Sequence, residues 1–459
     1  MIIEIVLARI LAPEIFGVMA ILLVLINVAD VIAQSGLGTA LIQRQEVTDT
    51  SYSTAFWLSL ALAAALYIAI WIAAPFIASF YNMDELDLFL RVIALGLFLK
   101  AYNSIQRSFL QKNMEFRTLF IANTVAVVVS GLIGVGFAVL GFGIWALIVQ
   151  NLSQAFLTCL IMFWMIPWHP SIAFSGREAR QLFDYGWKIC VSGIFGKLYT
   201  GLSELIIGKA CGATQLGYYS NGAKWPNAGM SAFSNAIENV LFPAFSTISS
   251  NIQVLRENVE KAIVVGTYVM VFVSFLLIVT AEPLIVLLLT EKWLPCVPVF
   301  QLTCLSCSFY MLQIAVLRAY MAIGDSGLYM KLQIIKVSLG AVVIGVVAVV
   351  TTDIYLVAVA TVLDTIFNIF VIDLQPAKKR LGITRWKSAQ LVMPYFALGI
   401  GAACVSFSVT LLDLPYPVAF LSEMVIYSML FVGASKLLNL RGFKECVSAV
   451  QSLRSAKRP

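Results

Sequence analysis

The chain has 459 residues, of which 61% are hydrophobic and 12% charged, with a net charge of +6 and a mean hydropathy of +0.93. A soluble protein spends about a quarter of its residues on Asp, Glu, Lys and Arg, so 30 basic plus 24 acidic residues leave most of this surface facing hydrocarbon. That excludes a soluble catalytic domain, a disordered chain and a nucleic-acid-binding protein, and leaves apolar residues for about fourteen spanning helices.

In chain order, breaks at charged and Gly- or Pro-bearing stretches predict an all-α polytopic membrane protein of fourteen transmembrane segments. Segments 2–10, 16–33, 54–80, 88–106, 119–140 and 144–164 make an amino-terminal bundle over residues 1–167. Segments 187–208, 218–242, 262–280, 299–317, 332–350 and 355–372 make a second bundle over 168–374. Segments 389–412 and 418–438 form a terminal pair that, with a basic tail, fills 375–459. The first segment covers only about 15 Å of a ~30 Å core. It has no basic n-region or cleavage site and is read as the outer half of a helix whose beginning is missing.

Loop charges assign the sides. One alternating set of loops, with the tail, holds 22 Lys and Arg residues, half of them in the 378–387 loop and the tail; the opposite set holds only Lys209 and Lys292 among acidic residues such as Asp84, Glu85, Glu282 and Asp353. By the positive-inside rule the carboxyl terminus is cytoplasmic.

An internal repeat underlies the two bundles. The segment Ala8-Arg9-Ile10-Leu11-Ala12-Pro13-Glu14-Ile15-Phe16-Gly17 lies over Gly208-Lys209 through Leu216-Gly217 at an offset of 200, and Ala40-Leu41-Ile42 falls on Val240-Leu241-Phe242 in the same register. Ala73-Ala74-Pro75 answers Ala281-Glu282-Pro283, and Arg107-Ser108-Phe109 answers Arg318-Ala319-Tyr320. Six spans separate equivalent helices, so the bundles share one orientation and their pseudo-two-fold runs along the membrane normal, with a substrate cleft expected between them.

The chemistry of soluble enzymes is missing. Gly193-Ile194-Phe195-Gly196-Lys197 has the wrong spacing for a phosphate-binding loop. The single histidine, His169, precedes Pro170 in a loop where an interfacial role outweighs catalysis, and Cys304-x-x-Cys307 lies inside a span and is read as packing. No cofactor is expected beyond a coupling H⁺ or Na⁺.

Charges inside spans carry the functional signal, since each costs about 3 kcal/mol or more at mid-bilayer. Gly193, Lys197, Gly201, Glu204 and Gly208 form one face of the seventh helix, and Asn221, Lys224, Ala228, Ser231, Asn235 and Glu238 one face of the eighth. Asn27, Asp30 and Gln34 make a shorter stripe on the second. For any one of these residues, an ion pair that only holds helices together is as good a reading as a functional one. Lys100, Asn103 and Arg107 share a face near the cytoplasmic end, where Lys100 can snorkel, and Lys336 is expected to reach the inner interface. Asp364 and Asn368, one turn apart, read as a polar clamp or a proton site.

The segment Ala8 to Gly17, Gly141-Phe142-Gly143-Ile144-Trp145-Ala146-Leu147, Leu205 to Lys209 followed by Leu216-Gly217-Tyr218-Tyr219-Ser220, Val240-Leu241-Phe242-Pro243 and Leu289-Thr290-Glu291-Lys292-Trp293 resemble the polysaccharide transport (Wzx-like, colanic-acid-exporter-like) oligosaccharide flippases. These belong to the multidrug/oligosaccharidyl-lipid/polysaccharide exporter superfamily. The resemblance implies alternating-access movement of an undecaprenyl-diphosphate-linked oligosaccharide from the inner to the outer leaflet of a bacterial cytoplasmic membrane, for surface polysaccharide such as lipopolysaccharide. It also implies a cavity bordered by helices 1, 2, 7 and 8. Where many relatives carry Asn-Leu-Gln and Gly-Arg-Ser, this chain has Val316-Leu317-Arg318 and Gly324-Asp325-Ser326.

Under this reading Lys197 and Lys224 bind the diphosphate, and Asn221, Asn227, Asn235 and Gln34 hydrogen-bond sugar hydroxyls. Asp30, Glu204, Glu238 and Asp364 are candidates for ion coupling. The expected partners are the bilayer, the lipid-linked oligosaccharide, and a polymerase and glycosyltransferases of the same pathway. Two other functions compete. A membrane glycan polymerase or ligase needs a sizeable outer loop, whereas the longest one here, 281–298, is short and partly apolar; a drug/cation antiporter favours a carboxylate-rich cavity without paired lysines.

Overall fold

The computed structural model describes residues 2–34, 36–44, 47–408, 412 and 414–456, and within its helices leaves out the side chains at 185, 188, 189, 192, 195, 198–200, 232, 233, 235, 236, 239, 326, 449, 450 and 452–456. Helices and short turns make up the described residues, without a strand. Two compact units divide the chain, Met1–Gly217 and Tyr218–Pro459.

The first unit holds α1 (Ile2–Ile10), α2 (Pro13–Gln34), α3 (Leu37–Gln43), α4 (Asp49–Tyr81), α5 (Glu85–Ala94), α6 (Gly96–Lys112), α7 (Phe116–Val139), α8 (Trp145–Met165) and α9 (Gly176–Cys211). Helix α10 (Ala213–Ile248) runs across the boundary. The second unit continues with α11 (Ile252–Val279), α12 (Ala281–Leu289), a 3₁₀ turn at Glu291–Cys296, α13 (Val297–Cys307), α14 (Tyr310–Ala322) and α15 (Ser326–Thr351). After α16 (Ile354–Phe367) comes a π-helical turn at Asn368–Asp373, then α17 (Ala377–Leu381), α18 (Arg385–Phe407), α19 (Tyr416–Leu437) and α20 (Arg441–Ala456).

Thirteen of the fourteen predicted spans begin on helix and 144–164 begins one residue before α8, while 88–106 is broken by the α5–α6 step and 299–317 by the α13–α14 step. Eleven spans among the described residues are long and apolar enough to cross a membrane. Helices α9 and α10, of 36 residues each, carry the polar stripes.

Bilayer solvation explains the inverted packing. On α4 beyond the buried rings of Tyr52 and Phe56 the buried residues are small, Ser59, Ala63, Ala74 and Ala78, while Ile68, Trp71, Ile72, Phe76 and Phe80 stand exposed to where lipid would lie. Lipid tails give helices no hydrophobic reason to associate, so close backbone approach does the work. Helix α7 shows it most regularly: Ala122, Ala126, Ser130, Gly134 and Ala138 recur every four residues on its buried face, and a Cβ at Gly134 would lie 2.9 Å from the Gln150 side chain of α8. The turn between the two helices needs Gly141 (φ 81°) and Gly143 (φ 57°), values that side chains other than glycine's adopt at a cost.

Polar caps set the starts of three helices that follow or carry the basic loop charges. Thr48 and Ser51 form a reciprocal capping box on α4, and the Asn251 side chain accepts from the amides of Gln253 (3.1 Å) and Val254 (3.2 Å) at α11. Ser175 caps α9, whose neighbour Glu178 takes hydrogen bonds from Arg44 and from Ser51 (3.1 Å). Helix α9 packs along α2, α3 and α4, which is why the compact unit extends to Gly217 although the repeat divides at 167/168.

The ends of α2 and α10 cross at a reciprocal contact. A Cβ on Gly17 would sit 1.8 Å from the Ala213 carbonyl oxygen, and one on Gly217 would sit 2.0 Å from that of Pro13. Positions 13 and 213, and 17 and 217, are the pairs that the offset of 200 equates. A local two-fold therefore relates the first turns of these two helices, as in an isologous contact.

In the second unit α11 is the central helix, packed by α13, α14, α18, α19 and α20. Its core is aromatic: Phe272 meets Tyr427 and Phe431 at 5.9 and 5.3 Å between ring centroids, and Tyr268 meets Tyr395 at 5.7 Å. The stretch 281–298, read from sequence as an outer loop, is instead folded as α12, the 3₁₀ turn and the start of α13, with Trp293 fully buried beside Tyr218.

Candidate functional site

A cavity of about 550 Å³ opens within the first unit. Helix α2 contributes Asp30 and Gln34; α6 contributes Lys100, Asn103, Ser104, Arg107 and Gln111; α7 contributes Asn123; α8 contributes Asn151, Gln154 and Thr158; and α9 contributes Gly193. The α6 residues recur at intervals of three and four, so one helix face carries all of them. The lining residues hold two cations against one carboxylate, set among six carboxamides.

The charges are tied together. Gln34 Nε2 donates to Asp30 Oδ1 at 2.9 Å, and Lys100 Nζ lies 3.7 Å from Asp30 Oδ2. The Asn103 amide donates to the Ala155 carbonyl (2.9 Å), filling an α8 backbone acceptor and fixing α6 against α8. Lys100 thus turns onto α2 instead of snorkelling to the interface, because a carboxylate within reach offsets part of the cost of keeping an ammonium in the membrane.

Of the predicted residues, Asp30 and Gln34 border this cavity. Lys197 and Glu204 lie further along α9 than Gly193, Lys197 exposed and Glu204 half-buried. On α10, Asn221 is buried and Lys224 exposed, and the Asn235 side chain lies outside the described residues. Asn227 accepts from the Tyr310 hydroxyl at 3.1 Å. Glu238 is ion-paired with Arg318 of α14, a helix-to-helix tie between half-buried partners. Asp325, at the second place where the family pattern differs, caps α15 and pairs with Arg380 at 2.9 Å.

A second polar cluster lies in the second unit. Lys336 Nζ sits 3.0 Å from Asp373 Oδ1 and 3.2 Å from Oδ2, with Asp373 wholly buried. Gln313 Nε2 donates to the same carboxylate at 3.0 Å. Asn368 Nδ2 donates to Asp364 Oδ2 at 2.7 Å. The expectation that Lys336 reaches the inner interface is corrected: it is 4% exposed and points into the unit. The clamp between Asp364 and Asn368 was readable from their spacing, whereas Lys336 and Asp373, 37 residues apart, had no such signal. Lys100, Arg107 and the α7 and α8 carboxamides were the residues that sequence reasoning undervalued; the shared α6 face was visible, its partners were not.

The other candidates behave as structural residues. His169 stacks on Phe163 (centroids 4.5 Å apart), and Cys304 and Cys307 are buried free thiols.

Membrane-crossing helices and a polar cavity that carries excess positive charge define a multi-pass membrane protein of transporter architecture. Residues 6–298 match the family described as "Polysaccharide biosynthesis protein", and the chain belongs to it. Among curated relatives, the lipopolysaccharide biosynthesis protein WzxC of Escherichia coli (strain K12) is 28% identical over 65% of this chain and 61% of its own. The teichuronic acid biosynthesis protein TuaB of Bacillus subtilis (strain 168) is 26% identical over 59% of this chain and 56% of its own. The succinoglycan biosynthesis transport protein ExoT of Rhizobium meliloti (strain 1021) is 28% identical over 66% and 61%. The chain thus spans under two thirds of the length of these relatives. The fold is shared with the lipid II flippase MurJ in an inward closed conformation (TM-score 0.71, 12% identity, 95% of this chain and 96% of that one). It is also shared with an inward-facing multidrug transporter of the MATE family (TM-score 0.64, 14% identity, 83% and 94%).

Proposed function

We propose that this protein is a flippase, a transporter and not an enzyme, which moves an undecaprenyl-diphosphate-linked oligosaccharide from the inner to the outer leaflet for surface polysaccharide biosynthesis. The observation that carries the reading is the membrane-embedded cavity whose wall combines Lys100 and Arg107 with six carboxamides. A glycan diphosphate has this same division: an anionic group that needs cations and hydroxyls that need neutral donors and acceptors. Neither part crosses hydrocarbon unaided, so a polar chamber inside the bundle replaces its water.

Asp30 sets the affinity of the cationic wall by holding Lys100, and Gln34 reaches both the carboxylate and the chamber. Lys197 and Lys224 are proposed as further diphosphate contacts, Asn221, Asn227 and Asn235 as sugar contacts, and Glu204, Glu238 and Asp364 as groups that change charge with H⁺ or Na⁺ during alternating access. Repeat and loop charge support bundles over 1–167 and 168–374, a terminal part over 375–459, a cytoplasmic carboxyl terminus and a place in the bacterial cytoplasmic membrane. A polymerase and glycosyltransferases of the same pathway are the proposed protein partners. The test is Lys100→Ala with Arg107→Ala in cells that depend on this protein for surface glycan. Loss of glycan at equal protein level is expected, and undiminished glycan would overturn the diphosphate assignment.

A further inference from the structure

The second unit contains a charge imbalance that only a bound cation or proton removes. Lys336, Asp364 and Asp373 are each at least nine-tenths buried, and they amount to one positive charge against two negative. They lie within the membrane-crossing helix α15 and within the span formed by α16 and its π-helical turn, a kind of irregularity common at functional sites. A net buried charge in such a place is costly unless neutralised.

We propose that this cluster binds one exchangeable proton, held on Asp364, and that it does not bind sodium. The assignment to Asp364 follows from the contacts. Asp373 takes hydrogen bonds from Gln313 and Lys336 on Oδ2 and has the Lys336 ammonium 3.0 Å from Oδ1, so the cation and two donors hold it as the carboxylate. Asp364 has one donor, the Asn368 amide at 2.7 Å. The other end of that amide, Asn368 Oδ1, is buried and has no hydrogen-bond partner. An acceptor without a donor beside a carboxyl is satisfied when the carboxyl carries a proton. The polar groups seen to contact the site are Lys336 from α15 and Gln313 from α14, with the Tyr320 hydroxyl of α14 donating to the Asp373 backbone carbonyl (2.7 Å).

Sodium is refused on two grounds. A hard metal ion takes about six oxygen ligands, whereas Asp364 and Asn368 offer few oxygens that are not already engaged. The Lys336 ammonium also stands where a second cation would be repelled. The inference rests on the proposed transport only for its use, which is to make H⁺ the ion available for coupling; the site itself is tested without substrate.

The experiment is infrared difference spectroscopy of the full-length protein in nanodiscs, recorded while pH is raised, following the C=O band of protonated carboxyls. Glu423, wholly buried on α19 with both oxygens unpartnered, would give a second such band. Every sample therefore carries Glu423→Gln. The starting protein is expected to show one protonated carboxyl, unchanged by added sodium. Both Asp364→Asn and Asp373→Asn are expected to abolish it, because either leaves a single carboxylate for Lys336. A band that survives Asp364→Asn, a band absent from the start, or a band displaced by sodium would each overturn the proposal. None of these outcomes depends on whether the protein flips a glycolipid, so failure of the site and failure of the transport reading remain distinguishable.

Discussion

At the crossing of α2 and α10 a hydrogen atom occupies the place of a side chain twice over. A Cβ at Gly17 would be 1.8 Å from the Ala213 oxygen and 2.9 Å from the Gly217 nitrogen, and the mirror substitution would be 2.0 Å from the Pro13 oxygen. Ordinary non-bonded separations are about 3.5 Å, so Gly17→Ala must push the two helix ends apart by roughly 1.5 Å. Backbone atoms cannot rotate away as a flexible side chain would. Overpacking of this kind costs about 1–3 kcal/mol, of which up to ~1 kcal/mol is offset by the better helix propensity of Ala. A unit of about this size loses roughly 2–4 °C per kcal/mol, so Gly17→Ala should melt about 5 °C lower when heated samples are followed by fluorescence-detected size exclusion. Gly217→Ala should cost the same, because the local two-fold makes the two contacts equivalent. The double variant should cost less than the sum, since the second methyl enters a gap already opened. Gly136, on α7, is the control: a Cβ there meets nothing within 4 Å, and its change to Ala should be neutral or mildly stabilising. Equal stability of Gly17→Ala and Gly136→Ala would refute the crossing.

Three further outcomes follow from named contacts. Glu238→Gln or Arg318→Gln alone strands one charge of the α10–α14 pair within the membrane and should cost about 3 kcal/mol; changing both together should recover 1–3 kcal/mol of it as a coupling energy in a double-mutant cycle of thermal stability. Trp293→Ala should lose about 3–5 kcal/mol, more than any loop substitution, because the ring is wholly buried in a stretch whose apolar composition gave little hint of order. Lys100→Met should weaken capture of a glycan diphosphate about tenfold to a hundredfold, the loss of a charged hydrogen bond of 1.5–3 kcal/mol; isothermal titration of the folded fraction with a soluble diphosphate sugar in detergent measures it.

Long-period features were the legible ones. Hydropathy marked the spans because each must place about twenty apolar residues in hydrocarbon, and nothing in tertiary packing can override that requirement. The small-residue face of α7 holds Gly131 and Gly134 and runs on to Ala122 and Ala138, a four-residue period that lies in the sequence itself. Spacing also exposed a pair within one span, Asp364 with Asn368. Pairs between helices have no period to read. Lys100 finds Asp30 across 70 residues and Lys336 finds Asp373 across 37, and each lysine taken alone is better explained by snorkelling. The folded stretch 281–298 was hidden for a related reason, since Pro283 and Pro295 resemble breaks although each lies inside a helical element and Trp293 between them is buried against Tyr218.

The central claim is tested most directly by leaflet exchange. Purified protein in liposomes is supplied with a fluorescent undecaprenyl-diphosphate oligosaccharide in one leaflet, and a membrane-impermeant quencher reports its arrival in the other. Exchange far above that of protein-free vesicles, abolished by Lys100→Ala with Arg107→Ala, is the predicted result. A glycolipid that stays in its original leaflet, or exchange that the double substitution leaves untouched, would contradict the account.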